Sequence, residues 1–259
     1  DVVGESFYQP MLEPILTEIS DKLNLSDGAL CYFSKKLLGK DEQAMPMILR
    51  KQDGAYLYGT TDLAAVKYRL KNLNADKVLY VVDQRQSLHF NLLFELVKEC
   101  DWAKAQLIHI GFGTVNAANG RPFKTRDGGT IKLSDLLTAA VAKAITVIES
   151  KQPDLSNADA TALAEQIAIS AIKYNDLSKP RNTDYAFCYE QMLRFDGNTA
   201  PYILYAYVRL NKIAKFNQSS LNFALPIELA LAKQILGFNE AVRLASEESM
   251  PHHICNYIY

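Results

Sequence analysis

Alternating helical and strand patterns between residues 62 and 113 constrain the fold of this chain most. A continuous apolar run at 78–82, VLYVV, is typical of a strand that is buried on both faces of a parallel sheet. A second run, LIHIGFG at 107–113, predicts a neighbouring strand, and a helical pattern precedes each of the two. The order helix, strand, helix, strand predicts an α/β unit with a parallel sheet.

Apolar spacing predicts the two helices of this unit. The first begins near Thr61 or Asp62, either of which is placed to cap it. Its apolar face carries Leu63, Val66, Leu70 and Leu73. The second helix runs from about Leu88 to Glu99. Its apolar residues are Leu92, Leu93, Leu96 and Val97.

The patterns on the two sides of this unit differ. Upstream, apolar runs predict strands at 29–33, 46–50 and 55–59. Asp53-Gly54 predicts a hairpin turn between the last two strands. After residue 113 strand patterns stop, helical patterns follow, and we expect Ser134 to cap the next helix. The apolar faces of this helix and of the one after it carry Leu137, Val141, Ala144, Ile145 and Ile148, then Leu163, Ile167, Ile169 and Ile172.

Composition narrows the class of protein. With 49% hydrophobic residues among 259, the chain can bury a core and has room for one large domain or two ordinary ones. The net charge of -1 gives no global basic field, so local patches would hold any polyanion. The four cysteines form no CxxC pair, and no run of about 18 apolar residues is present. We therefore expect a reducing, cytoplasmic location without membrane contact.

Two polar clusters follow predicted strands, where α/β proteins usually bind ligands. In the first, Tyr58 to Asp62, the aspartate either caps the helix or offers a carboxylate to a guanidinium or amine. The second, Asp83 to Gln86 with His89 one turn further on, is either a ligand site or a solvated loop before a capped helix. The four histidines form no metal-binding motif, so we expect no tightly bound metal.

Two further segments suit nucleotides or nucleic acid. Residues 120–130, GRPFKTRDGGT, combine cations, a hydroxyl and glycines, which suits phosphate, although a solvated basic loop has the same composition. Tyr202, Tyr205 and Arg209 share one helix face at i, i+3 and i+7. They form either an aromatic core stripe or a stacking platform for unpaired bases beside a phosphate-contacting arginine.

Six segments of the chain, in order, resemble arginyl-tRNA synthetase of the bacterial type. They are DVVGESFYQPML, DGAYLYGTTDLAAVKYRL, ADKVLYVVDQRQSLHF, HIGFG followed by GRPFKTRDGGTIKLSDLL, IKYNDLSKPRNTDY, and DGNTAPYILYAYVR. The resemblance covers essentially the whole chain and implies a fold of the α/β plus all-α class. Residues 1–197 would be the second half of a class I Rossmann-like catalytic domain with connecting helices. Residues 198–259 would be a truncated helical-bundle anticodon-binding domain, and the turn residues FDGNT at 195–199 suit that boundary.

The resemblance also implies a function. The family uses ATP, accompanied by Mg²⁺, to attach L-arginine to its tRNA through arginyl-adenylate. We therefore expect an arginine-tRNA ligase whose partners are ATP, L-arginine and the tRNA for arginine, acting as a monomer. The alternative is a non-catalytic tRNA-binding or assembly module derived from a class I synthetase.

The same resemblance assigns residues to the arginine site. Tyr58 and Asp62 match the family's pair that reads the arginine side chain. In that role Asp62 would accept charge-assisted hydrogen bonds from the guanidinium, and Tyr58 would close the pocket. Gln86 matches a further amino-acid-binding position.

The resemblance assigns two further groups of residues. A loop that matches the family's Lys-Met-Ser-Lys-Ser motif, whose cations stabilise charge on the triphosphate, consists of Phe123, Lys124, Thr125 and Arg126. The motif's second lysine is missing, so the catalytic cation is either Lys124 or Arg126. Tyr202 and Tyr205, with Arg209 beside them, correspond to aromatics that contact the anticodon region.

One family motif is missing from the sequence. Class I synthetases carry His-x-Gly-His where side chains meet ATP phosphates, and none of the four histidines here stands in such a motif. The chain begins at Asp1 without an initiator methionine and ends on the mostly apolar and aromatic residues ICNYIY, so we expect that both of its ends are cut. We expect this fragment alone not to activate arginine, and pyrophosphate exchange near the rate of a full-length relative would contradict that.

Overall fold

The computed structural model describes residues 2–39, 41–102, 104–117, 132–213 and 225–259. The chain divides into two units, Asp1–Phe112 and Gly113–Tyr259. Within the described ranges, no helix is long and apolar enough to cross a membrane.

The first unit opens with helical turns and an antiparallel sheet. A 3-10 helix, Glu5–Met11, runs into helix α1, Leu12–Glu18. Three strands follow and lie in the order β1-β2-β3: Asn24–Ser26, Ala29–Leu38 and Ala44–Arg50. Strands β2 and β3 confirm the first two predicted apolar runs.

The predicted hairpin turn is present, but the strand predicted after it is wrong. Gly54 has a φ of +85°, which suits the turn at Asp53-Gly54. The run at 55–59 contributes one isolated bridge instead of a strand. Pairing stops there because helix α2, Tyr58–Lys71, takes over the end of the run.

Helix α2 begins earlier than predicted, so the expectation that Thr61 or Asp62 caps it is wrong. The N-cap is Leu57, whose backbone is extended and whose N–H donates to the Leu49 carbonyl at 3.0 Å. This bond to β3 fixes where the helix starts. Leu73, predicted for its apolar face, lies beyond the helix end and is 52% exposed.

The α/β unit has the predicted order and a parallel sheet. After α2 come strand β4, Lys77–Asp83, helix α3, Ser87–Glu99, and strand β5, Gln106–Phe112. Strands β4 and β5 pair in parallel, and α3 supplies the crossover that a parallel pair needs. The predicted apolar face of α3 is confirmed by four buried residues, Leu92, Leu93, Leu96 and Val97.

The expectation that β4 is buried on both faces is wrong. On one face Val78 and Tyr80 are buried, and the Tyr80 ring centroid lies 4.8 Å from that of Phe90 in α3. On the other face Leu79 and Val81 are 48% and 65% exposed. Strand side chains alternate between faces, and helix packing covers one of them in the described unit.

The second unit is mainly helical. Its helices α4 to α10 are Leu133–Lys151, Asn157–Leu177, Tyr189–Met192, Ala200–Ile213, Pro226–Leu236, Phe238–Glu247 and His252–Ile258. Helices α4 and α5 meet through buried alanines: Ala140, Ala144, Ala160, Ala164, Ala168 and Ala171. The stripe predicted for α4 is buried or half-buried, but Ile169 of the predicted α5 stripe is 41% exposed.

Two predictions for the second unit are wrong in detail. Strands do not stop after residue 113, because β6, Val115–Asn116, pairs in parallel with β7, Tyr185–Ala186. These strands are too short to leave a pattern in the sequence. Ser134 does not cap α4, because Lys132 is the N-cap and its carbonyl already accepts the Asp135 N–H at 3.0 Å.

Candidate active site

The centre of the candidate site is a contact between Asp62 of α2 and His89 of α3. Oδ2 of Asp62 lies 2.7 Å from Nε2 of His89. An ionised carboxylate only accepts hydrogen bonds, so Nε2 carries the proton and donates it to this bond. The His89 side chain is 9% exposed and the Asp62 side chain 33% exposed, so the histidine holds the carboxylate from its buried side.

Tyr58 covers the imidazole of this pair. It stands one helical turn before Asp62 on α2, and its ring centroid lies 4.6 Å from that of His89. The tyrosine is 58% exposed, so much of this side chain remains accessible to a ligand. The structure therefore brings together two of the predicted arginine-site residues, Tyr58 and Asp62, around a histidine that joins them.

Gly59 lets the first turn of α2 approach its neighbours closely. A Cβ built on Gly59 would lie 2.7 Å from the Met47 Cε and 3.7 Å from the His89 ring. Thr60, the next residue, is buried and donates its hydroxyl hydrogen to the Leu49 carbonyl. Both contacts fix the start of α2 against β3, and with it the positions of Tyr58 and Asp62.

Gln86 lies at the end of a short 3-10 helix, Gln84–Gln86, between β4 and α3. Its side chain is exposed, and it stands three residues before His89 in the sequence. Gln84 packs over Gly111 of β5, where a Cβ would lie 2.1 Å from the glutamine Oε1. The predicted amino-acid-binding position therefore lies at the carboxyl end of β4. This is where residues that directly follow a parallel strand in the sequence are expected to lie.

Asp83 has a structural partner. Its carboxylate accepts hydrogen bonds from the Arg85 backbone N–H at 2.8 Å and from the Arg85 guanidinium at 2.9 and 2.6 Å. These bonds from Arg85 lower the pKa of Asp83 to about 2, so the group stays ionised at neutral pH. The sequence left two interpretations of this segment, a ligand site or a solvated loop before a capped helix. Asp83 itself fits the second, because its side chain caps the 3-10 helix.

The sequence placed His89 near Gln86 but did not assign it to the site of Asp62 and Tyr58. The histidine was visible one turn after Gln86, but no motif connected it to Asp62, which is 27 residues away. Of the other histidines, His109 donates from Nε2 to the Val82 carbonyl at 3.1 Å and stacks on Phe90. Within the described ranges, no group of three or more histidine, cysteine, aspartate or glutamate side chains is arranged to hold a metal ion.

The predicted phosphate-binding loop lies outside the described residues. The predicted residues concerned are Phe123, Lys124, Thr125 and Arg126.

Helix α7 of the second unit carries the three residues of the predicted tRNA platform, but their surroundings differ. Tyr202 is half-buried, and its ring centroid lies 5.8 Å from that of Tyr259. Tyr205 is 51% exposed, and the Arg209 guanidinium carbon lies 5.6 Å from its ring centroid. The exposed ring with an adjacent cation is therefore at Tyr205, and Tyr202 contributes to packing.

Comparison with known protein families gives two matches. Residues 1–189 match the family described as tRNA synthetases class I (R), catalytic domain. Residues 203–259 match the DALR anticodon binding domain. The chain between these matches includes the turn residues at 195–199.

Individual relatives agree with the family matches. A protein of Pseudomonas savastanoi pv. phaseolicola named arginine-tRNA ligase is 44% identical over 270 residues, covering 100% of this chain and 47% of that protein. One of the same name from Stutzerimonas stutzeri is 46% identical with the same coverage. The chain thus spans about half the length of the curated relatives it matches.

Solved structures share the fold. The arginyl-tRNA synthetase of Plasmodium falciparum matches 99% of this chain with 45% of its own, at a TM-score of 0.82 and 33% identity. The Thermus thermophilus arginyl-tRNA synthetase matches 96% of this chain with 48% of its own, at a TM-score of 0.79 and 23% identity, and supports the fold alone.

Proposed function

The chain belongs to the arginyl-tRNA synthetase family of class I synthetases, and from this membership we propose that the protein attaches L-arginine to its tRNA. ATP would activate arginine as arginyl-adenylate, and a terminal ribose hydroxyl of the tRNA would then take the arginyl group. Catalysis of this kind depends on positioning the reacting groups and stabilising charge on the phosphates.

The observation that carries the proposal is the unpaired oxygen of Asp62. His89 holds Oδ2, while Oδ1 has no hydrogen-bond partner among the residues that the structure describes. Asp62 lies inside α2 rather than at its N-cap, so capping does not account for the carboxylate. A one-third-exposed carboxylate with a free edge beside an exposed tyrosine suits the planar donors of a guanidinium.

The remaining partners follow from family membership. We assign ATP, with Mg²⁺, to Lys124 and Arg126, and the tRNA anticodon region to the helices of residues 198–259. The boundary at 197, the cytoplasmic location and the monomeric state belong to the same proposal. Gln86, exposed beyond β4, would contact the amino acid near Asp62.

Aminoacylation by the full-length protein tests the proposal. The protein is incubated with tRNA, ATP and either radiolabelled arginine or radiolabelled lysine, and tRNA-bound label is counted. We expect labelled tRNA with arginine alone, because lysine offers a point charge rather than a planar fork to Asp62. Tight tRNA binding without any ligation would instead favour the non-catalytic tRNA-binding module.

Tyr205 provides a test of the tRNA-binding part of the proposal. Base stacking on an aromatic ring contributes about 1–3 kcal/mol, so Tyr205→Ala should weaken tRNA binding about 5- to 150-fold. Tyr202→Ala should mainly lower the melting temperature, because the ring packs on Tyr259. Filter binding of tRNA and thermal melts followed by circular dichroism separate the two effects.

The matched control for Tyr205 is Tyr207→Ala. Tyr207 is 61% exposed on the same helix, but two residues further on it points to a different side. We expect near-normal tRNA binding by this variant. Equal losses for Tyr205→Ala and Tyr207→Ala, or no loss for either, would remove Tyr205 from the tRNA interface.

A further inference from the structure

Asp62 needs a fixed orientation to bind a guanidinium through both oxygens. A solvent-facing aspartate rotates about its side-chain bonds, and each unproductive rotamer reduces the fraction of protein that can bind. Among the residues that the structure describes, one hydrogen bond restricts that rotation, the 2.7 Å contact from His89 Nε2 to Asp62 Oδ2.

The histidine that makes this bond is itself immobilised by packing. Its ring centroid lies 4.6 Å from Tyr58 and 5.1 Å from Phe90, and its side chain is 9% exposed. Phe90 belongs to the buried core of the first unit. The position of the imidazole is therefore set by the core, and the imidazole transfers that position to the carboxylate.

The exposures of the two partners show which edge of the carboxylate is left for a ligand. The buried imidazole occupies Oδ2 from the protein side, and the carboxylate as a whole remains 33% exposed. Oδ1 and the outer lone pair of Oδ2 then face away from His89. A guanidinium approaching from solvent would meet two oxygens already aligned for its two parallel N–H groups.

We propose that His89 is a positioning residue that fixes the Asp62 carboxylate for the guanidinium of arginine. The inference rests on the proposed function, because it assumes that Asp62 binds that group. His89 does not touch arginine in this arrangement. It acts through Asp62, and it sets the affinity for arginine rather than the rate of the chemical steps.

Three substitutions of His89 test the role in the full-length protein. His89→Phe keeps a flat ring against Tyr58 and Phe90 but removes the donor, and His89→Asn keeps an amide that is too short to reach Oδ2. His89→Gln places an amide N–H close to the position of the histidine Nε2. Partners that orient a binding residue commonly contribute about 10- to 100-fold in affinity, as for metal ligands.

We expect KM for arginine to rise by about that factor in His89→Phe and His89→Asn, with kcat and the KM values for ATP and tRNA nearly unchanged. His89→Gln should recover most of the arginine affinity. A merely structural role predicts no such rescue, because glutamine replaces the ring contacts no better than asparagine does. Thermal melts of the three variants verify that the comparison is made on folded protein.

A matched control exists in the first unit. Lys35 Nζ lies 2.8 Å from Glu99 Oε2, so Lys35→Met removes another cation-carboxylate contact to helix α3. This variant should keep the arginine KM of the unmodified protein. Asp62→Asn serves as the reference for loss of the carboxylate itself.

The outcomes separate this inference from the proposed function. If Asp62→Asn loses arginine use and the three His89 variants keep it, the positioning role is wrong and the arginine site stands. If His89→Gln is as impaired as His89→Asn, the positioning role is also wrong, because a restored donor does not help. If Asp62→Asn itself has a normal KM for arginine, the proposed arginine site fails and the His89 role fails with it.

Discussion

Replacement of Asp62 by asparagine is expected to lower kcat/KM for arginine about 100-fold or more in the full-length protein. The amide removes the negative charge and presents an NH₂ group to the donors of the guanidinium, so one donor pair is left unmatched. ATP and tRNA do not contact this carboxylate in the proposed site, and their KM values should stay nearly unchanged. Steady-state aminoacylation with each substrate varied in turn measures the difference.

The control for Asp62→Asn is the same change at Asp21. That carboxylate is exposed on the surface of the first unit and pairs with Lys22 at 2.8 Å. Surface pairs of this kind contribute little, so arginine use by Asp21→Asn should be normal. An equal loss for arginine, ATP and tRNA in Asp62→Asn would indicate a general defect and would contradict the guanidinium role.

The arginine site shows which features the sequence could predict. The position of Gln86 was predictable because side chains that follow a buried strand lie at the carboxyl edge of a parallel sheet. The contact between Asp62 and His89 was not, because it joins two helices whose rotation is set by core packing. The bond from the Leu57 N–H to the Leu49 carbonyl fixes where α2 begins, and no local sequence pattern predicts that bond.

Burial was harder to predict than the order of elements. VLYVV correctly predicted a strand in a parallel pair, but composition alone could not show that Leu79 and Val81 lie on an exposed face. The α5 stripe shows the same limit. Its large side chains suggested the buried face, whereas the residues that α4 and α5 bury most completely are alanines, because small side chains let helix backbones approach closely.

Gly113 is the position where the chain enters the second unit, and Gly113→Ala is expected to destabilise that unit by about 3 kcal/mol. A Cβ there would lie 2.4 Å from the Thr183 carbonyl oxygen and 2.9 Å from the Asp184 nitrogen. Both atoms are backbone, so no side-chain rotation relieves the overlap. Gly-to-Ala changes gain only about 0.4–1 kcal/mol from the unfolded state, which is too little to offset it.

The contacts around Gly113 would be lost together, because each holds the same two segments. The Gly113 N–H donates to the Arg181 carbonyl at 2.7 Å, and the Thr114 N–H donates to the Asp184 carboxylate at 2.6 Å. The β6-β7 pair begins immediately after them. Displacing Gly113 therefore also weakens the pairing of Val115–Asn116 with Tyr185–Ala186. Urea unfolding followed by far-ultraviolet circular dichroism should show a transition at lower urea concentration.

The control is Gly39→Ala. A Cβ built on Gly39 would have its nearest atom 3.6 Å away, so the urea midpoint of this variant should not fall. Equal midpoints for Gly113→Ala and Gly39→Ala would mean that the close approach to residues 183 and 184 does not hold in solution.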